Sequence, residues 1–504
     1  LNNCAMPMIG DPETTYDTAA QAAHKAGLKV LQVFHDTPPW AADETLDGKR
    51  ARGRFPRDLR IVYNYCRELS KRFRGRVQAW EPWNEANITN FGGHTVDEMC
   101  AFQKAAYLGF KAGNPNVTVG WNAYAAVPMQ LHARGVIENQ TWPYFDTYNI
   151  HTYDWPHSYH ELWGPAIEAS CGRPIWVTEA DRGMKYETQG PWFDLSREAE
   201  LRKAELIPQS YASSLFAGAD HHFHFILGHY TESNNQVQFG LLRLDLTPRP
   251  AYSALAAAGR LLAGAKCLGH WQPENNWDAH VYAFTAQPDG VNRDVLVAWA
   301  EKQADWPQRG NTQAPWHLPD NIECHGVYDY LGRWLGRTPP PQLRSTPIFV
   351  LLEPGRASAL PLEIPPTAPS RLGHTSPIVL QLQMPADSSI KVRERQWSQG
   401  YVHAIDPNQP HELTVFVYNF ANEPRTGHVT IQTTPPGCTI EPTQWDVEVP
   451  PMQRKQLQLT VSHPIRTEKP APDAWIRIRG NFAPDNAPIL AFQIYGKPHL
   501  TTGN

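Results

Sequence analysis

Cysteine is scarce in this chain, with seven in 504 residues and no CxxC pair. That excludes a disulfide-stapled scaffold and argues against a cysteine-based zinc site. No apolar run reaches the roughly 18–20 residues that a membrane-spanning helix needs. No long basic run is present either, and 45 Lys and Arg face 50 Asp and Glu, for a net charge of -5. Nucleic acid and acidic membrane surfaces are thereby set aside as main partners. Charged residues are only 19% but hydrophobic residues are 41%, which excludes a disordered or coiled-coil chain. No glycine-rich phosphate turn follows any strand-like run, so a nucleotide-binding open sheet loses weight. No repeat of fixed period suggests a solenoid or propeller. Nothing in the sequence implies a cofactor.

Two residue types are abundant instead. Proline, at 46 residues, is nearly twice its usual share of about 5%. Tryptophan numbers 18. Such rings either fill a core or offer flat faces on which sugar rings stack. The length alone calls for two to four domains.

The chain changes character along its length. Up to about residue 265, apolar strand-like runs (29–34, 76–82, 117–124, 145–153, 174–180 and 219–227) alternate with helix-like stretches. The stretch 57–72 places Leu59, Val62, Tyr63, Cys66, Leu69 and Phe73 at spacings of three or four. Thr95 followed by Glu98 predicts a capping box, and Gly113-Asn114-Pro115 a stop. Further helices are predicted over 16–26, 196–217 and 250–263. Strand-then-helix order predicts parallel strands with helical crossovers. After about residue 266 the helical period gives way to short alternating runs. A Pro-rich link over 360–370 precedes a last block of strands near 378–383, 411–418, 426–433, 446–449, 456–461, 474–479 and 489–494. This spacing predicts a β-sandwich.

Two strand ends carry a glutamate in a special setting. One is Trp80-Glu81-Pro82-Trp83-Asn84-Glu85-Ala86-Asn87, the other Ile175-Trp176-Val177-Thr178-Glu179-Ala180-Asp181. In parallel α/β architectures the C-terminal strand ends build the active site. Two glutamates so placed can face each other across a cleft. Glycoside hydrolysis needs one carboxylic acid to protonate the leaving oxygen and one carboxylate to attack or to activate water. Asn84 can bond a sugar hydroxyl, and the tryptophans lower local polarity, which helps raise an acid's pKa.

This pattern resembles the clan A retaining glycoside hydrolases, which are (β/α)8 barrels. In that clan an Asn-Glu pair ends strand 4 and a second Glu ends strand 7. The resemblance implies that Glu85 is the acid/base and Glu179 the nucleophile. His151-Thr152-Tyr153 is similar to the strand 6 motif, which implies that Tyr153 hydrogen-bonds the nucleophile and His151 lines the site. Thr37-Pro38-Pro39-Trp40 is similar to the strand 3 loop of family 39-like members, which puts His35 and Trp40 at the substrate. Phe239-Gly240-Leu241-Leu242 and the segment from Pro248 resemble the lead into the last barrel helix. The resemblance covers roughly residues 15–265. Two departures stand out. Clan members often have a Trp at the end of strand 8, where this chain has His221-His222-Phe223-His224-Phe225. Counting back from Glu85 makes 29–34 strand 3, so strands 1 and 2 are unaccounted for. An incomplete barrel, or an unusual filling of the gap by residues 1–14 and another segment, is expected.

The expected organisation is therefore a TIM barrel (1–265) lacking its N-terminal strands 1–2, followed by two β-sandwich-type domains: a small β-domain packed on the barrel (266–362) and an immunoglobulin-like sandwich (363–504). Trp155 is a stacking candidate, with packing the alternative. His222 and His224 share one strand face, but no third ligand is evident, so no metal is expected and His224 is taken as sugar-binding or packed. Asp181 and Arg182 either pair locally or touch substrate, and Glu81 is read as a buried polar partner. A carbohydrate substrate is the expected partner. A secreted or periplasmic location follows from the resemblance alone, since the first residues lack a leader-like pattern. The rival readings are a non-catalytic sugar-binding or adhesion protein on a barrel scaffold, and a transglycosylase using the same two glutamates.

Overall fold

The computed structural model describes residues 15–42, 53–186, 190–273, 276–302, 311–384, 388–394, 398–407, 409–462 and 474–496. The chain divides into two compact units. One comprises Leu1–Ile150, Glu168–Pro174 and Ala368–Asn504, the other His151–Ile167 and Ile175–Thr367. Both mix α and β structure. No helix among the described residues is long and apolar enough to cross a membrane.

The first unit opens with alternating strands and helices. Leu31–Phe34, Ala79–Pro82 and Thr118–Val119 pair in parallel, with Leu31 opposite Ala79 and Ala79 opposite Thr118. Single parallel bridges, Gly120 to Thr147 and Tyr124 to Ile150, continue the ladder. The strand 118–119 is shorter than the predicted run, and beyond it the Asn122 side chain is bonded to Gln103 and to the Met99 carbonyl. Helices occupy Thr15–Lys25, Leu59–Arg72, Val96–Gly113 and Gln130–Glu138. The last of these is not evident in the sequence periodicity. Asp58 caps Leu59–Arg72 by accepting from the Arg60 N–H, and the Thr95–Glu98 capping box forms as predicted. Leu59, Val62, Cys66 and Leu69 face inward as their spacing requires. The helices Leu59–Arg72 and Val96–Gly113 pack closely because Gly109 and Gly113 lack side chains. A Cβ at either would lie 2.3 Å from a backbone oxygen of the other helix, that of Tyr63 or Arg67.

The same unit holds the C-terminal sandwich. One sheet has the order Ile378–Gln383, His411–Asn419, Arg454–Ser462, Thr439–Glu441. The other has the order Gln444–Val449, Arg425–Thr433, Ile476–Phe482, Ile489–Phe492. Inward residues such as Leu380, Val415, Val429, Val447, Leu459 and Ile478 form its core. A third sheet joins Ser389–Arg393, Gln399–Ile405 and Ile494–Gly496. Its hairpin is absent from the sequence reading. Its apolar side is small: Ile390 and Val392 on one strand and Val402 and Ala404 on the other alternate with polar or aromatic residues and pack with Leu131 and Tyr495.

The strand Tyr148–Thr152 begins in the first unit and ends in the second. It belongs to a three-stranded sheet with Ile175–Ala180 and Ala219–His224, the last two running parallel. The helix Arg197–Phe216, capped by Ser196, and the helix Pro250–Leu261 belong to the second unit. So does a six-stranded antiparallel sheet ordered Lys266–Trp271, Ala279–Ala286, Arg293–Ala300, Ile348–Leu352, Cys324–Asp329, Trp334–Gly336. Ala204, Ile207 and Phe216 of one helix and Ala254 and Leu261 of the other share a core with Tyr282, Val295, Val297 and Trp299 of this sheet. The expectation about strands 1 and 2 rests on residues 1–14, which lie outside the described residues.

Candidate active site

In the first unit the chain leaves the strand Ala79–Pro82 through a tight, strained turn. Trp83 and Glu85 both adopt left-handed backbone angles, φ 77° and 44°. Each such residue costs about 1–3 kcal/mol, so the surroundings must hold it. The Trp83 indole is fully buried, edge-on to Phe55 and Phe102, and donates to the Phe91 carbonyl at 2.9 Å. The loop then closes on itself, with the Ile88 N–H donating to the Glu85 carbonyl at 3.0 Å and the His94 N–H to the Ala86 carbonyl at 2.8 Å. The left-handed residues on either side of Asn84 thus set the direction of both polar side chains. Asn84 is buried, and its Oδ1 makes no hydrogen bond among the described residues. A buried amide oxygen in that state costs free energy unless a ligand group meets it. Glu81 accepts from Asn149 Nδ2 at 2.7 Å, the buried polar partnership expected of it.

Of the strand 3 candidates, His35 is buried, with Nδ1 3.1 Å from Asp36 Oδ1 and its ring edge-on to Phe91. Trp40 is 71% exposed on a short 3-10 turn, Pro39–Ala41. Its ring face is open where a packed core tryptophan would be covered.

In the second unit Glu179 lies near the end of Ile175–Ala180. Tyr153, just past Tyr148–Thr152, donates its hydroxyl to Glu179 Oε2 at 2.6 Å. His151 Nδ1 lies 3.5 Å from the same oxygen, with the imidazole fully buried. Parallel pairing carries the neighbouring strand Ala219–His224 alongside, and Phe225 follows it. The Tyr153 ring stands edge-on to Phe225 and to Phe239, at 5.8 and 5.7 Å. Phe225 therefore lies against Tyr153 at the end of that strand.

Other expected residues fall elsewhere. His224 faces a buried ion pair rather than open space. Its Nε2 is 3.8 Å from Asp181 Oδ2, and burial pushes its pKa down to about 4. Asp181 forms that pair with Lys203 of the helix Arg197–Phe216, a partner hidden from any local reading of the sequence. The Arg182 guanidinium donates to the Tyr153 carbonyl and lies 4.5 Å over the Trp155 ring, with Arg202 at 5.9 Å from it. Trp155 is half-buried, and cations occupy its ring. His222 packs on Tyr211, and His221 turns outward to Asp220 at 2.6 Å.

No protein-family model matches the chain, and no curated protein does. Solved structures do. The chain is similar to a family 39 glycoside hydrolase from the gut symbiont Bacteroides cellulosilyticus WH2, at 20% identity over 68% of this chain and 71% of that one, with a TM-score of 0.48. It is similar to a family 30 subfamily 8 xylanase from Clostridium acetobutylicum, at 10% identity over 68% and 85%, with a TM-score of 0.47. It is also similar to a monomeric β-xylosidase from Caulobacter crescentus CB15, at 14% identity over 68% and 84%, with a TM-score of 0.43.

Proposed function

We propose that this protein is a retaining glycoside hydrolase that cleaves β-glycosidic bonds by double displacement. The observation that carries the reading is the hydrogen bond from Tyr153 to Glu179 at 2.6 Å. A hydroxyl donor on one oxygen orients the carboxylate for attack at the anomeric carbon. Glu179 is then the nucleophile and Glu85 the acid/base. Glu85 protonates the departing oxygen, then takes a proton from the water that releases the sugar. Asn84 binds a hydroxyl of the sugar undergoing attack, His151 lines that site, and Trp40 offers a stacking face. Double displacement requires the two carboxyl groups about 5–5.5 Å apart. A secreted or periplasmic setting suits a polysaccharide-directed enzyme.

A panel of aryl β-glycosides tests the reading, with the anomer of the first-formed product followed by proton NMR. Turnover with retained configuration is expected. An inverted product would remove the nucleophile assignment, and binding of sugars without turnover on any aryl glycoside would favour a non-catalytic lectin-like role.

A further inference from the structure

The loop that follows Glu85 is held from outside by one strand of the C-terminal domain, Gln399–Ile405. Asn87 is fully buried two residues beyond Glu85. Its Oδ1 accepts from the Ala125 N–H at 2.8 Å, and its Nδ2 donates to the Gln399 carbonyl at 3.0 Å. Two residues along the same strand, the Tyr401 hydroxyl meets Thr89 Oγ1 at 2.7 Å. The Tyr401 ring also lies flat on Gly93, where a Cβ would fall 2.6 Å from Cε2. Two residues further, His403 Nε2 lies 2.9 and 3.0 Å from the Asp97 carboxylate oxygens and 3.2 Å from Thr95 Oγ1. Tyr401 and His403 point the same way because strand side chains alternate with period two. The contacts run in chain order on both sides: 87 with 399, 89 with 401, 95 and 97 with 403.

Such a register is more than a domain attachment. The left-handed angle at Glu85 is strained, and a strained turn keeps its geometry only where neighbours over-determine it. Asn87 is tied by both ends of its amide, so the peptide next to Glu85 has little freedom to relax. We propose that Asn87 is a positioning residue for Glu85, and that the strand Gln399–Ile405 is the brace that makes it so. The C-terminal domain is then part of the proton-transfer apparatus, not a spacer. This rests on the reading of Glu85 as the acid/base.

The test uses the full-length protein and aryl glycosides whose leaving groups span a wide pKa range. Glu85→Gln serves as the reference for lost proton donation. Asn87→Ala is expected to lower kcat/KM at least about tenfold for poor leaving groups, within the 10²–10⁴-fold that general acid–base catalysis supplies, and to spare dinitrophenyl glycosides. The slope of log kcat/KM against leaving-group pKa therefore steepens, and azide accelerates release of the sugar. Tyr401→Phe removes only the hydroxyl that meets Thr89, and is expected to steepen the slope in the same direction by a smaller amount. Equal losses on every aglycone, tracking a fall in Tm, would mean that Asn87 and Tyr401 only stabilise the fold and would overturn the proposal. An unchanged slope in a folded Asn87→Ala variant would overturn it too. If Glu85→Gln itself shows no leaving-group dependence, it is the acid/base assignment that fails, and the brace with it.

Discussion

The Tyr153 hydroxyl donates to Glu179 Oε2 at 2.6 Å, while His151 Nδ1 stands 3.5 Å from the same oxygen. One carboxylate oxygen is thus held by two neighbours from the end of a single adjacent strand. Hydrogen bonds to a charged group contribute about 1.5–3 kcal/mol. Tyr153→Phe should therefore reduce kcat/KM by about 10–100-fold without loss of folding. A variant of near wild-type activity would show that Tyr153 does not orient the nucleophile.

The two glutamates should give distinct phenotypes. Glu179→Gln is expected to abolish formation of the glycosyl-enzyme, since an amide is a poor nucleophile. Mass spectrometry after incubation with a 2-fluoro glycoside should place the label of the native protein on Glu179. Glu85→Gln should still form the intermediate from an activated aryl glycoside, then hydrolyse it slowly, with azide restoring the second step. A label on any other residue means that the roles are reversed or the site is misplaced.

Asn84 offers a sharper probe of sugar contact, because its buried Oδ1 has no partner among the described residues. Asn84→Ala should cost about 10–100-fold in kcat/KM on a sugar that carries its 2-hydroxyl. On the matched 2-deoxy substrate the cost should be much smaller, since the hydrogen bond is already missing. Equal losses on the two substrates would indicate that Asn84 meets a different hydroxyl.

The Asp181–Lys203 pair is fully enclosed, and burial lowers the Lys203 pKa from its ordinary value. Removing one partner leaves an uncompensated buried charge, at about 3–5 kcal/mol. Lys203→Met should therefore destabilise the protein markedly in thermal or denaturant unfolding. Lys203→Met combined with Asp181→Asn should recover part of the loss. No recovery would mean that the helix needs Lys203 for packing and not for charge.

A pH effect is expected at the strand that braces the Glu85 loop. Burial opposes a charge on His403, but the attraction and hydrogen bond of Asp97, aided by Glu98 and opposed by Arg54, hold its pKa above the ordinary value of 6.5. The folded state therefore binds this proton more tightly than the unfolded chain does. The pair's contribution is complete below about pH 6.5 and is lost as pH rises through the higher folded value. Across that window Tm should fall with pH in the native protein, and by less in His403→Gln. Parallel profiles for the two proteins would show that the imidazolium contributes nothing.

Local chemistry carried much of this protein into view. The spacing of Leu59, Val62, Cys66 and Leu69, the Thr95–Glu98 capping box and the apolar strands ahead of Glu85 and Glu179 all depend on neighbours within a turn or a strand. A single sequence displays such patterns directly. Seven of the eight sandwich strands were legible for the same reason, through their period of two; the short Thr439–Glu441 was not. Long-range pairing was not. Lys203 reads as one polar residue on a helix until the fold buries it against Asp181, and His224 reads equally as sugar-binding or packed until the same pair is found in front of it. Trp155 looks like an open platform until Arg182 lies over its ring. The alternation of the hairpin at Gln399 does not reveal its partners, a loop and a helix start some 300 residues away in the chain. Helix, strand and cap follow from residues a few positions apart. Which buried charge meets which, and which strand grips the turn beside Glu85, follow only when the folded chain brings distant segments within hydrogen-bonding reach, because desolvation then selects the partners.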